Sequence, residues 1–160
     1  MKAKVYIETS VVSYLTSQLS RDLILAARQE LTREVWTSLF SRFDVFVSAL
    51  VLQEAGRGDS EASSVRLKAL EGVPVLEITD SVKALARRLI KERAIPESHL
   101  EDALHVAVAS ANGMQFLLTW NFSHLNNAVM RSRIREVIEN EGYECPELCS
   151  PEELAGEGSD

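Results

Sequence analysis

The sequence predicts an α/β fold, a three-layer α/β/α sandwich on a mostly parallel sheet of four to five short strands. Short β-favouring segments alternate with helical patterns along the chain, which is the order that builds a parallel sheet. The length of 160 residues suits one domain, and no internal repeat or low-complexity linker divides it. We therefore expect a single domain over residues 1–153, followed by a loose acidic C-terminal end over 154–160.

The first half of the chain predicts two strands and three helices. A β-favouring run at 4–7 is the first strand, and Thr9 and Ser10 after it are candidate helix caps. Regular apolar spacing predicts a helix over 22–41. The remaining elements are a strand over 44–48, a helix over 49–55 ended by Gly56 and Gly58, and a helix over 60–70.

The second half predicts three strands and three helices. A strand over 73–78 contains Pro74, which favours a strand start or an edge position. Asp80 is expected to cap a helix that runs to 93, and Pro96 opens a segment that is helical over 98–111. The last elements are a strand over 115–119, a helix over 125–140 ended by Gly142, and a short fifth strand over 143–145.

Composition places the chain among ordinary globular proteins. Apolar residues make up 46% of it and charged residues 26%, which excludes disordered and collagen-like chains. No run of about 20 apolar residues is present, so we expect no membrane-spanning helix. The N-terminus lacks the apolar core of a signal peptide, and two cysteines are too few for a disulfide scaffold. These features predict a cytoplasmic protein.

The formal net charge of −7 is concentrated near the C-terminus. Residues 136–160 contain nine acidic residues and no lysine or arginine. Residues 1–135 consequently carry 17 basic and 15 acidic residues, a net charge of +2. A nearly neutral body does not exclude a polyanionic partner such as a nucleic acid.

Four oxygen-bearing side chains are candidates for one binding site. Glu8 follows the first strand and Asn121 lies just past the fourth, whereas Glu54 and Asp102 lie on apolar helices. Ligands of open α/β folds usually bind beyond the carboxyl ends of the strands. Converging oxygens there would bind a hard divalent cation such as Mg²⁺ or Mn²⁺. Taken singly, each acid is explained more simply as a solvent-facing group, and spacing alone does not show that the four converge.

Four segments resemble, in the same order, the acidic motifs of PIN domains. They are YIETSVV at 6–12, LVLQEAGRG at 50–58, HLEDALHVAVA at 99–109 and LLTWNFSHL at 117–125. The third segment is the most specific of the four. The resemblance covers the chain to about residue 153 and implies the PIN fold.

The resemblance also implies an activity. It makes Glu8, Glu54, Asp102 and Asn121 the residues that hold Mg²⁺ or Mn²⁺, with which PIN domains cut RNA phosphodiesters by a metal-activated water. The compact build is similar to VapC toxins, which implies a type II toxin–antitoxin pair. The partners so implied are an RNA substrate, an antitoxin protein and a second copy of the chain.

Two positions depart from the family pattern. The family usually has aspartate where this chain has Glu8, and an acid where it has Asn121. The longer glutamate shifts the carboxylate, and Mg²⁺ tolerates such shifts poorly. The neutral amide of Asn121 reduces the number of formal negative charges at the site from four to three. The alternative function is therefore a catalytically weakened PIN-fold module that binds nucleic acid or protein.

Three hydroxyl groups are candidates for supporting this site. Thr9, Ser10 and Thr119 could donate hydrogen bonds to a carboxylate or to a metal-bound water, although helix capping explains Thr9 and Ser10 equally well.

The histidines have simpler explanations than metal binding. His99, Asp102 and His105 recur at i, i+3 and i+6, whereas metal-binding helices more often use histidines at i and i+4. Helix packing or surface exposure is preferred for His99 and His105. For His124 we prefer a structural hydrogen bond to a contact with a substrate phosphate.

Overall fold

Five parallel strands form the sheet of this protein, in a computed structural model that describes residues 1–155. The strand order is β3-β2-β1-β4-β5, and all four pairings are parallel. The strands are β1 (Ala3–Ile7), β2 (Phe43–Ser48), β3 (Val75–Leu76), β4 (Phe116–Leu118) and β5 (Glu147–Cys149). The predicted α/β class and parallel sheet are confirmed.

Eight α-helices connect and cover the strands within the described part of the chain. They are α1 (Thr9–Thr16), α2 (Leu23–Arg42), α3 (Ala49–Ala55), α4 (Ser60–Ala69), α5 (Asp80–Lys91), α6 (Leu100–Ala111), α7 (Ala128–Asn140) and α8 (Pro151–Leu154). A short 3₁₀ helix, Glu97–His99, directly precedes α6. Among residues 1–155, none of the helices combines the length and the apolar character that crossing a membrane requires.

The central strand β1 positions the site. Val5, Tyr6 and Ile7 are completely buried, because strands flank β1 on both sides and helices cover the sheet. Such a continuous run of buried residues is typical of parallel sheets. Glu8 directly follows this buried run, at the carboxyl end of β1.

Two predicted strands were placed wrongly. The fifth strand lies at Glu147–Cys149 and not at 143–145, because the chain first turns after α7 through Gly142, whose φ is +88°. The third strand is limited to Val75–Leu76 and does not extend over 73–78, since Pro74 has no N–H to donate and only its carbonyl pairs with β2.

Two predicted helix starts are also corrected. The hydroxyl of Thr79, and not Asp80, caps α5 by accepting the Val82 N–H at 3.2 Å. Helix α7 begins at Ala128 and not at 125, because the Asn127 side chain caps it there. An N-cap side chain satisfies a backbone N–H that the first helical turn leaves unpaired.

The C-terminal segment is described as far as residue 155. Leu154 ends α8, is buried, and accepts a hydrogen bond on its carbonyl from Arg42 at 2.9 Å. Most of the end that we expected to be loose, residues 156–160, lies outside the described residues.

Candidate metal centre at the carboxyl ends of the strands

Glu8 is the first acid of the candidate site and is held by three donors. Its carboxylate accepts hydrogen bonds from the Ser10 hydroxyl, from the Ser10 N–H at 3.1 Å and from the Thr119 hydroxyl at 2.6 Å. The residue is only 7% exposed. Glu8 itself is the N-cap of α1, so the prediction that Thr9 or Ser10 caps this helix was wrong. The three donors fix the carboxylate at the edge of the sheet, where Thr119 follows β4.

Glu54 reaches the same edge from helix α3. Its Oε1 accepts hydrogen bonds from the Thr9 hydroxyl and from His105 Nε2, each at 2.6 Å. Burial by itself raises the pKa of Glu54, but the hydrogen bonds and the charge of His105 outweigh burial and lower this pKa to about 2. Glu54 is therefore ionised at neutral pH.

A line of buried hydrogen bonds supports Glu54 from behind. His105 Nδ1 lies 2.6 Å from the Tyr6 hydroxyl, which lies 2.9 Å from the Ser48 hydroxyl. Burial lowers the pKa of His105, but the hydrogen bond to Glu54 and the nearby carboxylates outweigh burial and raise this pKa. The imidazolium form donates from both ring nitrogens, to Glu54 and to Tyr6. His105 is thus more than the helix-packing residue that we expected.

Tyr6 is a residue of this site that sequence reasoning missed. Its hydroxyl is buried on the central strand, and burial raises its pKa well above 10. The usable signal was a single hydroxyl-bearing side chain in the apolar run of β1. The sequence did not show that this hydroxyl is paired with His105 on α6, because the two residues are 99 positions apart in the chain.

Asp102 lies on α6 one turn before His105. Burial, together with the negative charge of Glu8, raises the pKa of Asp102, although three nearby histidines partly offset this effect. His99 Nδ1 lies 3.7 Å from Asp102 Oδ2. The negative charge of Glu8 thus acts on Asp102, although the cluster of close ligand atoms within residues 1–155 consists of Glu8, Glu54 and His105.

Asn121 lies in the loop after β4 and is engaged within that loop. Its Oδ1 accepts the His124 N–H at 3.1 Å, and its own N–H donates to the Thr119 hydroxyl at 2.9 Å. Asn121 is consequently linked to Glu8 through Thr119, and its amide oxygen organises the turn.

The donor set fits a hard divalent cation. One ligand atom each of Glu8, Glu54 and His105 lie within 4.8 Å of one another. Both ring nitrogens of His105 are already engaged, one by Glu54 and the other by Tyr6, so the carboxylate oxygens are the available ligands. Oxygen ligands suit Mg²⁺ and Mn²⁺. The Glu8 and Glu54 carboxylates give this cluster the negative charge that such a cation would neutralise.

Comparisons with known proteins agree with this architecture. The PIN domain family model matches residues 5–128 of the chain. The fold is similar to VapC20 of Mycobacterium tuberculosis, described as a sarcin-ricin loop cleaving toxin, with a TM-score of 0.59 and 18% identity over 87% of this chain and 95% of that chain. It is also similar to VapBC2 of Rickettsia felis bound to a fragment of promoter DNA, with a TM-score of 0.60 and 13% identity over 92% of this chain and 98% of that chain. No curated protein sequence matches the chain.

Proposed function

The chain belongs to the PIN domain family, and from this premise we propose that it is a metal-dependent endoribonuclease, the toxin of a type II toxin–antitoxin pair. The observation that carries the proposal is the cluster of Glu8, Glu54 and His105, whose ligand atoms lie within 4.8 Å of one another, with Asp102 one turn before His105 on α6. Partly buried carboxylates that lie close together destabilise one another unless a cation balances them.

Each carboxylate has a distinct role in this proposal. Glu8 and Glu54 bind the cation, and their hydrogen bonds keep both groups in one orientation. Asp102 completes the ligand set directly or through a water, and Asn121 is a weaker ligand or orienting group. The hydroxyls of Thr9, Ser10 and Thr119 hold the acids in place. Bound Mg²⁺ or Mn²⁺ supplies charge neutralisation for the phosphodiester and lowers the pKa of a coordinated water.

The structural neighbours support the biological part of the proposal. One of them is described as a sarcin-ricin loop cleaving toxin, and the other as VapBC2 bound to a DNA fragment from their promoter. We accordingly propose RNA as substrate and an antitoxin protein as partner. A second copy of the chain is a further proposed partner.

One observation favours a second candidate function, a PIN-fold binding module that does not cut. The Asn121 side chain is a neutral amide, so the fourth position adds no charge. Its oxygen already accepts the His124 N–H, so it offers one free lone pair at most. A site with only three carboxylates attracts a second cation less strongly than one with four. RNA cleavage separates the two candidates.

The test is cleavage of end-labelled single-stranded RNA with Mn²⁺, with Mg²⁺ and with a chelator. We expect cleavage only when metal is present and a loss of at least about 100-fold in Asp102→Asn, as for other residues that act directly in catalysis. The matched control is Asp44→Asn, which removes an exposed acid near the opposite end of β2. Equal cleavage by wild type and Asp102→Asn would contradict the proposed site. Absence of any cleavage by wild type would favour the binding module.

A further inference from the structure

Two histidine rings stack beside Asp102. His124, in the loop after β4, lies on the ring of His99 from the 3₁₀ helix, with ring centroids 3.7 Å apart and planes inclined by 28°. His99 Nδ1 is also the nitrogen that lies 3.7 Å from Asp102 Oδ2. The stacked pair therefore lies directly beside Asp102.

This pair is available to a ligand. Both residues are half-buried, and 36% of the His99 side chain is exposed. Neither imidazole makes a hydrogen bond within the described residues, which contrasts with the fully engaged ring of His105. From the sequence alone we preferred a structural hydrogen bond of the His124 side chain to a contact with a substrate phosphate. Within residues 1–155, the hydrogen bond of His124 comes from its backbone N–H.

The same loop presents a second aromatic surface with a positive charge. Phe122 is 36% exposed, and the Arg28 guanidinium lies 4.9 Å from its ring centroid. Aromatic faces for stacking bases, combined with cations for phosphates, are how proteins bind single-stranded nucleic acids. The loop is tied to the acids, because the Trp120 N–H donates to the Ser10 hydroxyl that holds Glu8.

We infer that the His99–His124 pair stacks against an unpaired base of the RNA substrate, next to the phosphate held at the carboxylates, with Phe122 and Arg28 receiving the adjoining nucleotide. This inference rests on the proposed function and specifies its substrate class as single-stranded or looped RNA. A base held in a continuous duplex keeps its faces covered by its neighbours and cannot stack on the pair.

The experiment measures binding and not cleavage. Every variant carries Glu8→Gln, which removes a proposed metal ligand and does not touch the histidines. The probe is a ten-nucleotide single-stranded RNA with one 2-aminopurine, whose fluorescence falls when the base stacks, and anisotropy gives the affinity. The same strand in a duplex is the comparison ligand.

We expect addition of His124→Ala to weaken single-strand binding about 5- to 150-fold and to remove the fluorescence change, the range for losing one stacked base. His124→Phe keeps the ring face and should bind within about threefold of the parent. Phe40→Ala, which removes an exposed aromatic ring from α2, is the matched control and should change nothing. His124→Leu fills similar space without an aromatic face and must behave like His124→Ala, so it decides the test if the alanine variant does not fold.

Unchanged affinity in His124→Ala or His124→Leu would overturn the inference, as would equal weakening by His124→Phe, since the ring nitrogens would then be the contact. Duplex binding as tight as single-strand binding would overturn it as well. The proposed function is tested separately, on the unmodified chain with Mn²⁺. It fails if that chain does not cut an RNA whose binding depends on His124.

Discussion

Replacing Tyr6 by phenylalanine tests whether the buried hydrogen-bond line supports the site. The change removes a single oxygen from a completely buried side chain and leaves its ring in place. That oxygen is the partner of His105 Nδ1 at 2.6 Å and of the Ser48 hydroxyl at 2.9 Å. Ser48 keeps a partner, since its hydroxyl also accepts the Val51 N–H at 3.3 Å. His105 Nδ1 keeps none within residues 1–155.

The expected loss of stability follows from that unpaired group. A buried donor left without an acceptor costs about 1–3 kcal/mol in the free energy of unfolding. For a domain of this size each kcal/mol lowers the melting temperature by about 2–4 °C. Tyr6→Phe should therefore lower the melting temperature by about 2–12 °C.

The assay is thermal unfolding by circular dichroism, with Tyr14→Phe as the matched control. Tyr14 is half-buried and stacks on Trp120 at 5.5 Å, but its hydroxyl makes no hydrogen bond within the described chain. Its loss should change the free energy of unfolding by no more than about 0.5 kcal/mol. We further expect Tyr6→Phe to reduce RNA cleavage, because His105 then orients Glu54 less firmly. If Tyr6→Phe has the same melting temperature as the wild type, these buried hydrogen bonds do not support the site.

Three further predictions concern metal, pH and backbone conformation. Mn²⁺ at about 100 times its dissociation constant stabilises by about 2.7 kcal/mol, so it should raise the melting temperature by about 5–11 °C, and a rise of equal size in Asp102→Asn would contradict the ligand set. The pKa of Glu54 is about 2 in the folded state against an ordinary 4.5. The ionised carboxylate therefore contributes its full stabilisation of the fold above about pH 4.5, and this contribution is lost as the pH falls toward 2. Glu54→Gln should consequently melt below wild type at pH 6 and close to it near pH 2, and a difference that does not depend on pH would show that ionisation is not the cause. Gly142→Ala places a side chain at a φ of +88° with no atom within 4 Å, so strain alone should lower the melting temperature by about 2–8 °C, and an unchanged melting temperature would refute that reading.

Much of the fold was predictable because its signals are local. Short β-favouring runs marked β1, β2 and β4, and apolar periodicity marked the main helices. The two misplaced strands are those for which pairing with a distant strand decides the outcome. For β5, the Glu147 N–H finds the carbonyl of Gln115, and for β3 the pairing begins beside Pro74. No local pattern contains that information.

The site divides in the same way. The sequence by itself determined the α/β class, the family resemblance and the types of side chain at positions 8, 54, 102 and 121, since these depend on residues near one another in the chain. Only the tertiary structure decided that Thr119 holds Glu8 across 111 positions, that His105 joins Tyr6 to Glu54, and that His99 stacks on His124. The physical reason is that hydrogen bonds and ring contacts act over a few ångströms. The crossover connections of a parallel sheet bring residues that are distant in the chain to the same edge.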